Sequence, residues 1–201
     1  LADLQAACIA VPPFSIEHLL KGHAVHFRCH HPEAIGMRLD VMAVLRGVEP
    51  FPILWQRRTT VEVGGEGVYE LLSLPDLVQA KKTQRDKDWI MLRRLVETHH
   101  VQNATSSTME QIRFWLLEGR APSLLIEVAR CHPALCDQLI PERSLLAHAG
   151  RDEEARLASG LKEEEAAVRE RDRLYWLPLR RELEEWRRRL GRQEKETAVS
   201  D

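Results

Sequence analysis

Tyr69 to Glu97, YELLSLPDLVQAKKTQRDKDWIMLRRLVE, is the stretch around which the chain is organised. It reads as the end of a buried strand, a capped short helix, a dense knot of charge and a second amphipathic helix. Ser73 followed three residues later by Asp76 is a helix-start signal, because a hydroxyl and a carboxylate there satisfy backbone amides that lack intrahelical partners. Pro75 falls in the first turn, where its missing N–H costs little. Leu74, Leu77 and Val78 then form one apolar stripe, with Lys81 and Lys82 a turn beyond it. Arg85, Asp86, Lys87 and Asp88 follow, and Trp89, Leu92, Leu95 and Val96 resume an apolar face at helical spacing.

Such a knot has two readings. It is a solvated junction of charge pairs, each of small worth, or it is a site for an anionic ligand, since clustered Lys and Arg on a packed scaffold can hold phosphate oxygens. Spacing does not choose between them.

Upstream, Val25, Phe27 and Cys29 alternate with His26 and Arg28, the pattern of a half-buried strand. Met37 to Leu45 is the most strand-like run, and with both faces apolar past Asp40 it predicts a central strand. Asp40 there must be paired, hydrogen-bonded or metal-bound; an ion pair with Arg38 or Arg28 is one solution and a divalent cation another. Phe51 to Arg58 begins as a short helix. Thr59 to Val63 and Val68 to Leu72, separated by Gly64-Gly65-Glu66-Gly67, read as a hairpin. That glycine run is no phosphate cradle, because a strand follows it and no Lys-Ser or Lys-Thr closes it.

Arg38-Leu39-Asp40-Val41, the Phe51 to Arg58 helix, the hairpin, Ser73-Leu74-Pro75-Asp76-Leu77, Lys81 and Arg85-Asp86-Lys87-Asp88 together resemble, in order and spacing, the nucleotidyltransferase superfamily of the DNA polymerase β type. Within it they resemble the bacterial nucleotidyltransferase-like proteins related to abortive-infection toxins. The likeness covers about the first half of the chain. It implies nucleotide transfer with Asp40 as a catalytic, Mg2+-binding carboxylate and with Lys81, Lys82 and Arg85 near the phosphates of a nucleoside triphosphate. That chemistry needs metal ions held by several carboxylates. The family supplies them from a Gly-Ser turn followed by an Asp-x-Asp or Asp-x-Glu pair, for which this chain has no match. Asp86 and Asp88 do not replace the pair, since they lie after the hairpin near a helix start. The chain begins at Leu1 and not at Met, so it reads as a fragment or a degenerate member, inactive alone. The alternative is a noncatalytic interaction protein whose helical tail binds a protein partner or a second copy.

Composition sets further bounds. The 201 residues are 44% hydrophobic with a formal net charge of −2, enough for a real core and with no global field to attract nucleic acid. No run approaches the ~18 apolar residues of a membrane span and no signal peptide is evident, which points to the cytoplasm. Cys131, His132 and Cys136 could offer three metal ligands, but a fourth has no evident source, and small buried hydrophobes are the simpler reading.

After Glu97 the sequence is helical, with a polar loop at Val101 to Thr108 and a cap at Ser107 or Thr108. Past Pro141 it shifts to Glu, Arg, Ala and Leu. Leu179, Leu183, Trp186 and Leu190 form a narrow stripe behind an expected helix break at Pro178. The fold class expected is α+β: a partial nucleotidyltransferase-like mixed sheet with helices, then an all-helical carboxyl-terminal region. The expected organisation is a sheet domain over 1–102, a helical extension over 103–140, a charged helical tail over 141–192 and disorder over 193–201.

Overall fold

The computed structural model describes residues 1–190 other than Ala10 and Glu66. The disorder expected over 193–201 lies outside the described residues. The fold is α+β, and the chain divides into two compact units, Leu1–Gln56 with Leu174–Asp201, and Arg57–Arg173.

In the first unit β1 (Ala7–Cys8), α1 (Ile16–Leu20), β2 (Val25–Arg28), β3 (Arg38–Val41) and α2 (Phe51–Gln56) follow one another. The strands form an antiparallel sheet in the order β1-β2-β3, with Val25 opposite Val41 and His26 opposite Asp40. The predicted pairing of these two strands is present. Alternation sends Val25 and Phe27 to one face, where they pack with Leu19, Ala6, Leu39 and Val41, and leaves His26, Arg28, Arg38 and Asp40 on the other.

Two strand expectations are corrected here. The run over 37–45 is a strand only from Arg38 to Val41, because pairing stops where β2 stops, at Val25, and among the described residues it is an edge strand with β2 as its neighbour. Instead of one mixed sheet there are, among the described residues, two antiparallel ones. The second is the hairpin of β4 (Thr59–Val63) and β5 (Gly67–Leu71), in the other unit.

The second unit continues with α3 (Leu74–Ala80), α4 (Asp86–Asn103), α5 (Met109–Glu118), α6 (Pro122–Cys131), α7 (Pro133–Leu139), α8 (Leu146–Ala149) and the start of α9 (Glu154–Ser200). The predicted caps are present. Ser73 accepts from the Asp76 amide with Pro75 in the first turn of α3, and Thr108 forms a capping box with Gln111 at the start of α5. The polar loop expected from Val101 is helical as far as Asn103, whose side chain donates to the His99 carbonyl at 2.8 Å and is fixed there by Gln111.

The core of this unit gathers Val78, Trp89, Leu92 and Val96 with Trp115, Leu116, Leu125 and Leu139. Leu145, Leu146, Leu157 and Leu161 belong to the same core, so the segment after Pro141 contributes apolar packing from its first turns. The helix break expected at Pro178 is absent, for the proline sits inside α9. One missing N–H and a ring clash bend a helix without ending it when the flanking turns are long enough to hold it. Within the first unit Trp186 of α9 packs on His18 and His23 at ring-centroid distances of 4.8 and 5.2 Å, so the middle of the Leu179 to Leu190 stripe finds cover in this chain while Leu190 stays exposed. No described helix is long and apolar enough to cross a membrane.

Candidate functional site

Asp40 stands on β3 directly opposite His26 of β2. The register brings His26 Nδ1 to 2.6 Å from Asp40 Oδ1, and Arg38 Nε donates to the same oxygen at 3.2 Å. The Asp40 side chain is 52% exposed, which removes the desolvation problem anticipated for a buried central strand. The hydrogen bond from His26 lowers its pKa below the ordinary carboxylate value, with Arg38 adding to the effect. Arg28 and Arg38 lie opposite one another on this face. Like charges so placed repel, and the face gains a locally positive rim around one ionised carboxylate. His26 and Arg28 were legible in the alternation as polar-face residues. Their pairing with Asp40 and Arg38 depends on register, which the sequence alone did not supply.

The Lys81 to Asp88 segment belongs to the other unit. Lys81 is the C-cap of α3 and is half-buried. Lys82 turns inward, with Nζ 2.7 Å from Glu118 Oε2 and its side chain 15% exposed. Burial pushes its pKa down against the pull of Glu118. Arg85 Nε donates to Asp88 Oδ2 at 2.9 Å, and the Thr83 hydroxyl donates to the same oxygen at 2.6 Å. Asp88 itself is 1% exposed. The four candidate residues therefore do not share one set of partners. Asp40 is held by His26 and Arg38, Lys82 by Glu118, and Arg85 by Asp88.

Lys82 and Glu118 are the margin of a larger ionic network that no sequence motif announces. Arg143 donates to both oxygens of Glu164 at 3.0 and 2.7 Å, and through Nη1 to the carbonyls of Leu116 and Gly119 at 2.8 and 3.1 Å. Arg120 reaches Glu164 at 3.0 Å and Glu118 at 3.6 Å. Its Nε is buried with no hydrogen-bond partner, and its guanidinium lies 5.4 Å from the Trp89 ring centroid, where the indole offers a cation–π contact instead. A signal for Arg143 did exist, since an Arg beyond a helix C-terminus can bond the last carbonyls. It lies far from α5 in sequence, and the contact could not be placed.

The donors around Asp40 do not make a magnesium site by themselves. Mg2+ takes an octahedral shell of hard oxygen ligands, whereas Asp40 brings one carboxylate, already carrying a guanidinium N–H and an imidazole. Among the described residues no group of three or more His, Cys, Asp or Glu could hold a metal ion. Cys136 is buried and Cys131 exposed, both as free thiols. What the sheet face can do is hold a carboxylate ionised in contact with solvent, with an imidazole hydrogen-bonded to it and two guanidinium groups to attract an anion. No family model, curated protein or solved structure matches the chain.

Proposed function

We propose that this chain is a nucleotidyltransferase-like protein whose nucleotide chemistry centres on the polar face of the three-stranded sheet. The observation that supports this reading is Asp40, exposed, held ionised by His26 and flanked by Arg38. A carboxylate destined for a metal or a reacting hydroxyl must be ionised and reachable. The reading gives Asp40 one ligand's share of a Mg2+ site that the described residues do not complete, and it expects no transfer by this chain alone. In it a nucleoside triphosphate takes its cationic contacts from Arg28 and Arg38, because Lys82 and Arg85 are committed to Glu118 and Asp88.

The test is magnesium-dependent transfer of a labelled nucleotide by a form that also carries an Asp-x-Asp pair. Asp40→Asn should cut transfer at least ~100-fold, the scale of losing an electrostatic contact made in the transition state, while thermal unfolding stays nearly unchanged. Undiminished transfer would remove Asp40 from the chemistry. A stability loss of several kcal/mol would make it a structural ion pair.

A second reading, a noncatalytic interaction protein, is favoured by the inward turn of Lys82 onto Glu118 and the pairing of the exposed Arg85 with the buried Asp88. The charge knot then acts as a joint between α3, α4 and α5, and binding falls to surfaces elsewhere. Self-association through the tail keeps only the part of the stripe that Trp186 does not bury.

A further inference from the structure

α4 is apolar on two sides. Trp89, Leu92 and Val96 face the core, while Ile90 is 58% and Met91 40% exposed. On that outer side Leu74, Lys87, Ile90, Met91, Arg94 and Leu95 line an open groove of about 620 Å3. Thr98, His99 and Gln102 continue it along the helix. From Lys87 to Gln102 the lining residues recur at helical spacing over four turns, about 22 Å at 1.5 Å per residue.

The charges along this groove are one-sided. Several neighbouring cations are matched by carboxylates, as in Lys82–Glu118, Arg85–Asp88, Arg93–Glu97 and Arg113–Glu142. Lys87 and Arg94 have no carboxylate partner among the described residues, and no carboxylate lines the groove. Thr98 and Gln102 add hydrogen-bonding groups at one end. An apolar floor with two cations on the rim excludes a basic partner. Its concavity and length fit the apolar face of one helix better than a flat surface.

We propose that this groove docks an acidic amphipathic helix of a partner protein. Two or three large apolar side chains at i, i+3/i+4 and i+7 would enter between Ile90, Met91 and Leu95, and flanking Asp or Glu would meet Lys87 and Arg94. The inference holds whether or not Asp40 serves a nucleotide.

The probe is a fluorescein-labelled 16-residue helical peptide with Leu at those positions and Glu beside them, titrated into the full chain and read by anisotropy. A control peptide has Lys in place of each Glu. The acidic peptide should bind at least tenfold tighter than the basic one. Its affinity should fall at least tenfold with Lys87→Glu and Arg94→Glu together, fall again with Ile90→Ser and Met91→Ser, and weaken as salt is raised. All four positions are exposed, so circular dichroism should remain that of the parent chain. No acidic-peptide binding at millimolar concentration, equal binding of the two peptides, or binding indifferent to the charge reversals would overturn the proposal. Two further results would overturn it by naming another occupant. One is a dimer in sedimentation that Ile90→Ser and Met91→Ser abolish. The other is binding to anionic phospholipid vesicles that the acidic peptide does not displace.

Discussion

Replacing Arg143 by Met tests whether the cations of the helical unit serve the fold or a ligand. Arg143 is 7% exposed, and its guanidinium bonds Glu164 twice and the carbonyls of Leu116 and Gly119 once each. Those two carbonyls belong to the C-terminal end of α5, where the last backbone acceptors have no intrahelical donor. Met keeps most of the volume and removes every donor. Breaking a buried ion pair from one side costs about 3–5 kcal/mol, and each carbonyl left dry costs about 1–3 kcal/mol. Two features reduce that sum: Glu164 is 28% exposed and keeps Arg120 at 3.0 Å, and Met adds apolar contact. A net loss of about 3 kcal/mol follows, or about 6–12 °C in the unfolding temperature of a chain this size. Urea denaturation followed by tryptophan fluorescence reads it, since Trp89 and Trp115 are both in the affected core. The double variant Arg143→Met with Glu164→Leu should recover part of the loss, because no uncompensated carboxylate remains. A loss under about 1 kcal/mol for the single variant would refute the structural assignment and make Arg143 and Arg120 candidates for anion binding.

Gly160→Ala sets helix propensity against packing. Ala gains about 1 kcal/mol in a helix interior, but its Cβ would lie 2.3 Å from Leu145 Cδ1, a core side chain, and overpacking costs about 1–3 kcal/mol. A net loss of about 1 kcal/mol is expected in chemical denaturation, and a gain would mean that Leu145 has room to turn. Acid should unfold the helical unit below the ordinary carboxylate range. For Asp76 and Glu164, burial pushes the pKa up, but Arg57 with Ser73, and Arg143 with Arg120, more than offset it and hold both below their usual values. Their stabilisation is full above the unfolded pKa and is lost as pH falls through the lowered folded values. A midpoint near pH 6 would implicate histidines instead. Trp186→Ala should release the part of α9 that packs on His18 and His23, at a cost of about 1.5–3 kcal/mol. Unchanged hydrogen exchange over α1 would show that the contact holds nothing in place.

Local signals were legible in the sequence and long-range ones were not. Ser73 and Thr108 as caps, the Gly64-Gly65 hairpin, and the alternation that buries Val25 and Phe27 all rest on neighbours within a few residues, and each is present. Hydrophobicity continues to Leu45 while the strand paired with β3 ends at Val25; pattern alone does not show where a partner runs out. Proline's local cost at Pro178 is a few kcal/mol, which the surrounding turns of α9 outweigh. Asp40 reads in the sequence as a carboxylate needing a partner, and Arg38 is one of the two it has. His26 lies 14 positions away and meets Asp40 only through strand register.

The two concentrations of charge on this chain differ in what they leave available. Around Lys82 and Arg85 each cation faces a carboxylate of low exposure, Glu118 or Asp88. A phosphate entering there would have to displace a buried anion and leave it uncompensated, which costs several kcal/mol before any contact is gained. On the sheet face the carboxylate is half-exposed and the arginines exceed it in number, so an anion or a cation can exchange for water at little cost in buried charge. Electrostatic availability therefore favours β2 and β3 as the seat of ligand chemistry, although the residues that first draw attention in the sequence lie between α3 and α4. Charge reversal at Arg38 and at Lys82 separates the two. On the proposed nucleotide reading, Arg38→Glu should weaken nucleotide binding while leaving the fold intact, and Lys82→Glu should unfold the helical unit, with Glu118 then facing a second carboxylate. Circular dichroism and nucleotide titration on the pair decide it. A folded Lys82→Glu protein that has lost nucleotide binding would reverse the assignment.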